Sequence, residues 1–495
     1  MRDPDWLINS KPREVQMEAL RRSYGGFKTR DTLSEISRPT RLHAGRATGW
    51  GHYLEMRLGK SALAIAEFEL FARDEEVEGM VVIAPASFKE GWMREADKAG
   101  TLTMWRTFDN SCAKDMHQFA GMARNKGVPW VAVINYESVR LKESKETILG
   151  IMVKGRVGLV IDESIKIKNH TSLQTKAVLA IAKEAHFVRN LSGLFMTKGP
   201  QDVYPQLRAM RQMNGLNFYS FRNRFCKMGG YKAKKIVGAK NEDELRAELN
   251  SVSFIAKKAD WGLKPADREV IRQQLGMTPK QKRVYQEIDR EFVSLLDTGE
   301  EVSVDMVLTK LIKLQQISSG FVRHEDKVIT IEDPKKTPKM RQLMDMTEEI
   351  DGKVIIVYVY KASGDLLLEQ LAEFKPAVIR SADWMRKNGT TYENEKARFN
   401  EDPDCRVAIV QIVAGKYGHT LIGAPGDRCR YMAFYEHTFS LDDRSQIEMR
   451  NTYFDQDWAN TYIDFVSSPV EARALKALQD NEDLVNAVLY GADER

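Results

Sequence analysis

The stretch HYLEMRLGKSALAIAEFEL, residues 52–70, contains the features that decide the fold. A short apolar run leads into Gly59, Lys60 and Ser61, and an alanine-rich helical pattern follows. Backbone N–H groups and the dipole at such a helix start favour an anion, while the lysine can reach β- and γ-phosphates and the serine hydroxyl can bind Mg²⁺. The strict motif has glycine where Leu54 stands, so for this stretch alone an ordinary turn remains the alternative.

A second stretch, VGLVIDES at residues 157–164, is an apolar run that ends in Asp162 and Glu163. Paired carboxylates at the end of a buried strand are costly unless a cation or metal meets them. In phosphoryl transfer, one such carboxylate holds Mg²⁺ and the other orients or deprotonates the attacking water. By itself the pair could be a surface turn, but downstream of Gly59-Lys60-Ser61 it favours a site for a nucleoside triphosphate.

Short β-rich apolar runs alternate with amphipathic helical patterns in both halves of the chain. The runs are VVIAPASF, WVAVINY and VGLVIDES in the first half, and KVIIVYVY, RVAIVQIV and YMAFYEH in the second. This alternation predicts mainly parallel sheets with crossover helices, and two sets of runs predict two α/β lobes.

The lobe boundary is predicted near residue 265, with lobe one at 1–265 and lobe two at 266–495. A protrusion rich in Gly, Lys and aromatic residues is expected from lobe one at about 214–262. A helical lead-in is expected at 278–350, where Thr278 and Pro279 have the residue types of a helix N-cap and first turn.

Composition limits the class of protein. The 495 residues are 43% hydrophobic and 29% charged, which is ordinary for a globular protein of two or three domains. The four cysteines form no C-x-x-C pair, and no apolar run approaches the length of a membrane span. We therefore expect a cytoplasmic protein without a membrane partner.

The net charge of +5 is weak evidence for a polyanionic partner, because the position of the charges matters more than their sum. Lysines cluster in three places, and for each cluster a solvated surface is an equal alternative. These clusters are Lys227, Lys232, Lys234, Lys235 and Lys240; Lys257 and Lys258; and Lys335, Lys336 and Lys339.

Further stretches follow in a recognisable order. They are KPREVQMEAL, LEMRLGKS, VVIAPASFKEGWMREADK, VINYESVR, VIDESIKIKN, NLSGLFMTKGPQDVYPQL, KVIIVYVY, VQIVAGKYGHTLIGA and DDRSQIEMRNTYFDQ. This series resembles motifs Q, I, Ia, Ib, II, III, IV, V and VI of superfamily 2 helicases. It is most similar to the Swi/Snf-like DNA translocases, in the compact form found in phages and bacteria, and it covers nearly the whole chain. The protrusion and the stretch LTKLIKLQQISSGF also resemble segments of that family.

The resemblance implies an α/β fold of two RecA-like lobes, ATP and Mg²⁺ as cofactors, and the following roles. Catalytic roles fall on Lys60, Asp162, Glu163 and Arg450. Nucleotide contacts fall on Gln16, Arg57, Leu58, Gly59, Lys60, Ser61, Gly418 and Gln446, and Mg²⁺ ligands on Ser61 and Asp162. Nucleic-acid contacts fall on Ser87, Lys89, Tyr136, Lys232, Lys235, Lys361, Lys416 and Thr420.

The implied activity is an ATP-dependent DNA motor, with duplex DNA the favoured partner and single-stranded or branched DNA as alternatives. Its location would be the cytoplasm of a bacterium or phage-infected cell. One alternative is a helicase that separates strands or migrates branches.

Departures from the family pattern suggest another alternative, a weakly catalytic or non-catalytic DNA-binding protein gated by ATP. Arg57 replaces a glycine of motif I, and Tyr453 replaces the second arginine of motif VI. Ser164-Ile165 and Leu194-Phe195 replace the usual Ala-His and Thr-Pro. The tyrosine cannot supply the cation of an arginine finger, so that role would fall on Arg450 alone, for which a surface ion pair is the plain alternative.

Overall fold

In a computed structural model of the protein, each of the apolar runs quoted above forms a β-strand. The structure describes residues 14–24, 49–73, 76–110, 112–212, 215–229, 235–262, 267–297, 304–325, 327–415, 420–452, 456 and 458–490. Within these residues, the side chains of Ser87, Lys235, 291–297, 304–308 and 483–490 are not described. The chain divides into two compact units, Met1–Leu263 with Asn481–Arg495, and Lys264–Asp480.

The first unit is built on a seven-stranded sheet in which every strand pairing is parallel. Its strands are β1 (Gly49–Leu54), β2 (Gly79–Ala84), β3 (Met104–Phe108), β4 (Trp130–Asn135), β5 (Val157–Asp162), β6 (Val188–Ser192) and, after a hairpin, β9 (Ser253–Ala256). They lie in the order β3-β4-β2-β5-β6-β1-β9. The strand that precedes Gly59-Lys60-Ser61 and the strand that ends in Asp162 are therefore separated by β6 alone.

Helices flank this sheet, as expected for strands joined by right-handed crossovers. They are α1 (Glu14–Tyr24), α2 (Lys60–Arg73), α3 (Lys89–Ala99), α4 (Asp115–Asn125), α5 (Tyr136–Val139), α6 (Lys142–Lys154), α7 (Leu173–Glu184), α8 (Tyr204–Ala209), α9 (Phe218–Phe225) and α10 (Glu242–Val252). The hydrophobic core includes central β2 and β5, which are buried along their whole length.

Residues 217–252 leave the central sheet between α8 and β9. They form α9, an antiparallel hairpin of β7 (Cys226–Gly229) and β8 (Lys235–Ala239), and α10. These elements lie within the range predicted for a helical or loop protrusion, about 214–262, and include a β-hairpin that was not predicted. The chain then returns as β9, which pairs with β1 and was not expected from the sequence.

The second unit contains a six-stranded parallel sheet in the order β10-β17-β16-β13-β15-β14. Its strands are β10 (Arg268–Gln274), β13 (Val354–Tyr358), β14 (Ala377–Ile379), β15 (Val407–Gln411), β16 (Tyr431–Phe434) and β17 (Asn460–Val466). A separate antiparallel pair consists of β11 (Phe321–His324) and β12 (Lys327–Thr330).

The helices of this half begin with α11 (Pro279–Asp297), which Thr278 caps by accepting a hydrogen bond from the backbone N–H of Gln281 at 3.2 Å. The others are α12 (Val304–Ser318), α13 (Pro338–Glu349), α14 (Lys361–Gln370), α15 (Ala382–Lys387), α16 (Tyr392–Glu401), α17 (Ile412–Gly415), α18 (Leu441–Glu448) and α19 (Pro469–Tyr490). None of the helices in the described ranges combines the length and the apolar character needed to cross a membrane. The predicted α/β fold with two parallel-sheet lobes is confirmed.

Candidate nucleotide-binding site

The phosphate loop lies between the end of β1 at Leu54 and the start of α2 at Lys60. The backbone N–H of Leu58 donates to the Glu55 carbonyl at 3.2 Å, which closes a turn, and Gly59 has a φ of +82°. The Lys60 ammonium donates to the Leu54 carbonyl at 3.0 Å. The loop therefore leads into α2 with Lys60 as the first helical residue. A helix N-terminus with a lysine beside it is a common binding site for phosphate.

Two predicted nucleotide contacts border this loop. Gln16, on α1, donates from Nε2 to the Gly59 carbonyl at 3.2 Å. Arg57 has a φ of +70°, in the left-handed region that side chains other than glycine rarely adopt. The position where the resembling family has glycine thus requires a glycine-like backbone, and the arginine holds that conformation at a cost in strain.

The acid pair lies at the carboxyl end of β5, and Asp162 is 4% exposed. Trp92 of α3 donates from its indole N–H to Asp162 Oδ2 at 2.9 Å, and the Glu163 N–H donates to Oδ1 at 3.0 Å. Burial raises the pKa of the Asp162 carboxyl, although the Trp92 hydrogen bond and the positive charge of Lys60 oppose this rise. The charge of Lys60 therefore acts on Asp162 at the carboxyl ends of the parallel strands.

Glu163 has a left-handed φ of +51°, and its carboxylate accepts a long hydrogen bond of 3.4 Å from Ser192 Oγ at the end of β6. Gly193 follows Ser192 and approaches the phosphate loop, because a Cβ built on it would lie 3.7 Å from Lys60 Nζ and 3.1 Å from Met56 Cγ. The residues that follow β6 thus pass between the two predicted catalytic elements, where a Cβ at position 193 would be in tight contact with Met56 of the phosphate loop.

Mg²⁺ fits these residues in the way expected for an ion that arrives with a nucleotide. No group of three His, Cys, Asp or Glu side chains that could hold a metal occurs among the residues the structure describes. Mg²⁺ in nucleotide sites uses one or two protein oxygens together with phosphates and water. The buried Asp162 carboxylate and Ser61 in the first turn of α2 match that requirement.

A buried ionic cluster underlies the phosphate loop and was missed in the sequence. Arg189 on β6 makes two hydrogen bonds to Glu67 on α2, at 2.8 and 2.7 Å, and His52 on β1 lies 3.3 Å from the same carboxylate. All three side chains are almost fully buried. Burial would raise the pKa of Glu67, but Arg189 and His52 outweigh it and hold this pKa below its usual value. The cluster joins both arms of the loop to the neighbouring strand.

The predicted nucleotide residues of lobe two lie near the end of α18. Gln446 is buried and donates from Nε2 to Asp442 at 2.8 Å, and Arg450 donates from Nε to the Gln446 carbonyl at 2.8 Å. The Arg450 carbonyl accepts from Leu421 N–H at 2.7 Å. Gly418 lies outside the described residues, as does Tyr453. The meeting of Arg450 with a nucleotide stays a prediction.

A model of the family described as the SNF2-related domain matches residues 53–321, more than half of the chain. The chain belongs to the SNF2-related domain family. The match includes the phosphate loop, the acid pair and the residues after β6, and the fold is that of a nucleotide-binding ATPase core. Gln16, Gln446 and Arg450 lie outside the matched residues.

Curated SNF2-related relatives are distant and longer. The mouse DNA annealing helicase and endonuclease ZRANB3 is 23% identical over 384 residues, which cover 75% of this chain and 33% of ZRANB3. A Caenorhabditis elegans SMARCA-like protein 1 homologue is 27% identical over 210 residues, 42% of this chain and 28% of that protein. The chain spans about a third or less of the length of these relatives.

A distant structural similarity is also found. The Sulfolobus solfataricus SWI2/SNF2 ATPase core in complex with dsDNA is 17% identical and has a TM-score of 0.40, with 99% of this chain and 95% of that chain covered.

The predicted nucleic-acid contacts of this SNF2-related protein are dispersed. Tyr136 is fully buried, and its hydroxyl donates to the Asp162 carbonyl at 2.7 Å. This burial does not fit the predicted DNA contact. The Tyr136 side chain instead supports the backbone of the acid pair through its hydrogen bond to Asp162. Lys89 begins α3 and donates to the Phe108 carbonyl at 2.9 Å. Lys361, which begins α14, is exposed, and the Thr420 carbonyl accepts from Asn400 at 2.8 Å.

Four more predicted nucleic-acid contacts fall on residues or side chains that the structure does not describe. Lys232 and Lys416 lie outside the described residues, and the side chains of Ser87 and Lys235 are not described. Their roles stay predictions.

Proposed function

We propose that this protein is an ATP-dependent DNA motor that hydrolyses ATP on binding DNA and tracks along duplex DNA. The observation that supports it best is that Lys60, which follows β1, and the buried Asp162, which ends β5, lie at the carboxyl ends of strands that β6 alone separates, within the region that matches the SNF2-related family. A buried carboxylate next to a phosphate-loop lysine is suited to a metal-bound triphosphate.

Each residue has a distinct task in this proposal. Lys60 leaves the Leu54 carbonyl to bind the β- and γ-phosphates, and Ser61 and Asp162 hold Mg²⁺. The ion, when bound, neutralises charge that develops on the phosphoryl oxygens. Glu163 orients the attacking water and accepts its proton. By resemblance to motif VI, Arg450 would supply the second cation that neutralises charge on the phosphoryl group.

DNA as the partner is supported by the relatives, because ZRANB3 is described as a DNA annealing helicase. Contacts from lysines and backbone groups would go to phosphates and carry little sequence information. We therefore expect binding that weakens with salt and depends little on sequence. The family's protrusion and helical lead-in favour duplex tracking over strand separation.

ATP hydrolysis measured with no nucleic acid, single-stranded DNA, duplex DNA and RNA tests the proposal. We expect stimulation that is largest with duplex DNA. Lys60→Ala and Glu163→Gln should lower the stimulated rate by about 10²–10⁴-fold, the usual loss for a group of this kind. Lys142→Ala, which removes a lysine that is 84% exposed on α6, serves as the control and should keep the wild-type rate.

Equal phosphate release from wild type, Lys60→Ala and Glu163→Gln would leave the ATP-gated binding protein as the better account. A second pair of assays separates the motor types. Displacement of a third strand from a triplex without separation of a duplex indicates tracking, whereas duplex separation on its own indicates a strand-separating helicase.

A further inference from the structure

Gln206 of α8 is fully buried, and its side-chain amide forms hydrogen bonds in two directions. Its Oε1 accepts from the Ser164 hydroxyl at 2.8 Å. Its Nε2 donates to the Phe195 carbonyl at 2.6 Å and to the Asp202 carbonyl at 3.0 Å. One side chain therefore joins the turn that carries the acid pair to the residues that follow β6.

The partners of Gln206 lie next to the predicted catalytic glutamate. Ser164 follows Glu163 directly, and Phe195 belongs to residues 192–197, which we call the β6 exit segment. We call residues 162–168 the acid-pair turn, and the exit segment contacts this turn at two more places. Ser192 Oγ lies 3.4 Å from the Glu163 carboxylate, and Lys168 donates to Thr197 Oγ1 at 2.8 Å.

The backbone of Glu163 needs such support. Its φ of +51° is in the left-handed region, which costs a residue with a side chain about 1–2 kcal/mol. That conformation persists only where surrounding contacts determine it. The Ser164 hydroxyl provides one contact immediately beside the strained residue, and alanine at that position would have no hydroxyl to donate.

The amide of Gln206 also resists rearrangement. Its side chain has no exposed surface, so water cannot replace a broken hydrogen bond, and an unsatisfied buried polar group is costly. The backbone carbonyl of Gln206 accepts from Asn190 Nδ2 at 3.0 Å, which attaches α8 to β6. The acid-pair turn is thus tied through Ser164 and Gln206 to the rigid sheet.

We propose that Gln206, acting through Ser164, is a positioning residue that holds the Glu163 turn in the geometry required for ATP hydrolysis. This inference rests on the proposed function. Gln206 does not contact the reacting atoms. Its loss therefore lowers kcat through misplacement of Glu163 and leaves the KM for ATP nearly unchanged, because the Gln206 amide hydrogen-bonds to Ser164, Phe195 and Asp202 and not to Lys60.

Single variants give the first measurement. Ser164→Ala removes one hydroxyl, and Gln206→Met removes the amide at nearly constant volume. Each should lower kcat by about tenfold or more, with the KM for ATP within about threefold of wild type. Ser164→Thr retains the hydroxyl and should recover most of the rate. Ser253→Ala is the control, because Ser253 is a buried serine whose hydroxyl bonds only to a helix carbonyl, that of Leu249, away from the acid pair.

Combination with Glu163→Gln separates positioning from a general loss of structure. If Gln206 acts through Glu163, then adding Gln206→Met or Ser164→Ala to Glu163→Gln changes the residual single-turnover rate by less than about twofold. A loss of folded protein would instead reduce that rate by the same factor as in the wild-type background. Such a multiplicative result, or an unchanged kcat in Ser164→Ala, overturns the positioning role alone. A wild-type protein that does not hydrolyse ATP overturns the proposed function, and the positioning role with it.

Discussion

Two buried carboxylates at the carboxyl ends of central strands differ in the groups that donate hydrogen bonds to them. Asp162 ends β5 in the first unit, and Glu436 follows β16 in the second. Both have little or no exposed surface, and burial is the main reason that the pKa of each carboxyl is raised. Equal burial would suggest equal roles, but their hydrogen-bond partners differ.

Glu436 accepts hydrogen bonds from one neighbouring segment, and the positive charge of Lys339 opposes the rise of its pKa as that of Lys60 does for Asp162. Its Oε2 accepts from the backbone N–H groups of Val359 and Tyr360 at 2.9 and 3.0 Å, and its Oε1 accepts from Ser363 Oγ at 2.5 Å. This carboxylate joins β16 to the start of α14. Asp162 instead receives one indole N–H and one backbone N–H, so it has two such donors where Glu436 has three. The proposal that Asp162 holds Mg²⁺ while Glu436 is structural rests on this difference.

Backbone strain also distinguishes the surroundings of the two carboxylates. Arg57 and Glu163, on either side of the predicted site, both have positive φ, whereas Glu436 and its hydrogen-bond partners do not. Positive φ is not confined to the site, because in the described residues Arg211, Asn241, Glu325 and Lys375 have it as well. The two strained residues next to the site can therefore be tested for a local role, but strain by itself does not mark the site.

The largest effect is expected for Trp92→Phe, which removes the indole donor from Asp162. Loss of such a supporting hydrogen bond usually weakens metal binding by about 10–100-fold, so the Mg²⁺ concentration for half-maximal hydrolysis should rise by that factor. Without the donor, the pKa of the Asp162 carboxyl rises further. The acidic limb of the pH–rate profile should therefore move to higher pH, because Mg²⁺ requires the charged carboxylate.

Trp130→Phe is the matched control, since Trp130 is equally buried and its indole N–H has no hydrogen-bond partner among the residues that the structure describes. It should lose stability without a change in Mg²⁺ requirement. Equal Mg²⁺ dependence of the two variants would remove the distinction between Asp162 and a structural carboxylate.

A smaller effect is expected for Glu436→Gln, measured as unfolding free energy across pH. The raised pKa means that wild-type Glu436 contributes stability that is fully present below the ordinary value of 4.5 and is lost as pH rises through the raised pKa. Glutamine stays neutral, so the unfolding free energy of the variant should increase relative to that of the wild type as pH rises above 4.5. The gain should be on the order of 1–2 kcal/mol, the usual scale for an imperfectly satisfied buried group.

Hydrolysis by Glu436→Gln at neutral pH should remain within about twofold of wild type if the residue is structural. Glu348→Gln changes an exposed glutamate of α13 and should show no such pH dependence. A large loss of ATP hydrolysis in Glu436→Gln would contradict the structural role of Glu436 and the distinction from Asp162.

The smallest effect is expected for Arg57→Gly. Relief of the left-handed strain contributes about 1–2 kcal/mol, and the greater freedom of glycine in the unfolded chain offsets roughly 0.5–1 kcal/mol of this. The unfolding free energy should therefore increase by roughly 0.5–1 kcal/mol. Arg57→Ala removes the same side-chain contacts but keeps the strain, so the difference between the two variants isolates the backbone effect. Equal unfolding free energies of Arg57→Gly and Arg57→Ala would show that the backbone at position 57 is not strained.

Local patterns in the sequence were sufficient for several features. The strands that end in Asp162 and lead to Gly59 were predicted because an apolar run bounded by polar residues needs no distant partner to be recognised. The Thr278 cap was predicted for the same reason, since capping depends on residues within one helical turn. The arginine and glutamate of the buried cluster had a weak signal, as Glu67 and Arg189 each interrupt an apolar stretch. Two opposite charges in predicted core positions indicate a buried pair.

Other features had no local signal. The run of β9 is short, and its pairing with β1 depends on a chain return after the hairpin. Tyr136 has the residue type of a surface contact, and only the tertiary fold places it under the acid pair. Gln206 looks like any glutamine of a short helix until Ser164 and Phe195 are brought to it.

The sequence by itself determined the two α/β lobes, the phosphate loop and the acid pair, because these depend on hydrophobic period and on residue types at fixed spacing. The tertiary structure alone decided which side chains hold the acid pair. Trp92 reaches Asp162, Ser192 reaches Glu163 and Gln206 reaches the adjacent Ser164. These hydrogen bonds between separate elements depend on distances that no local pattern contains.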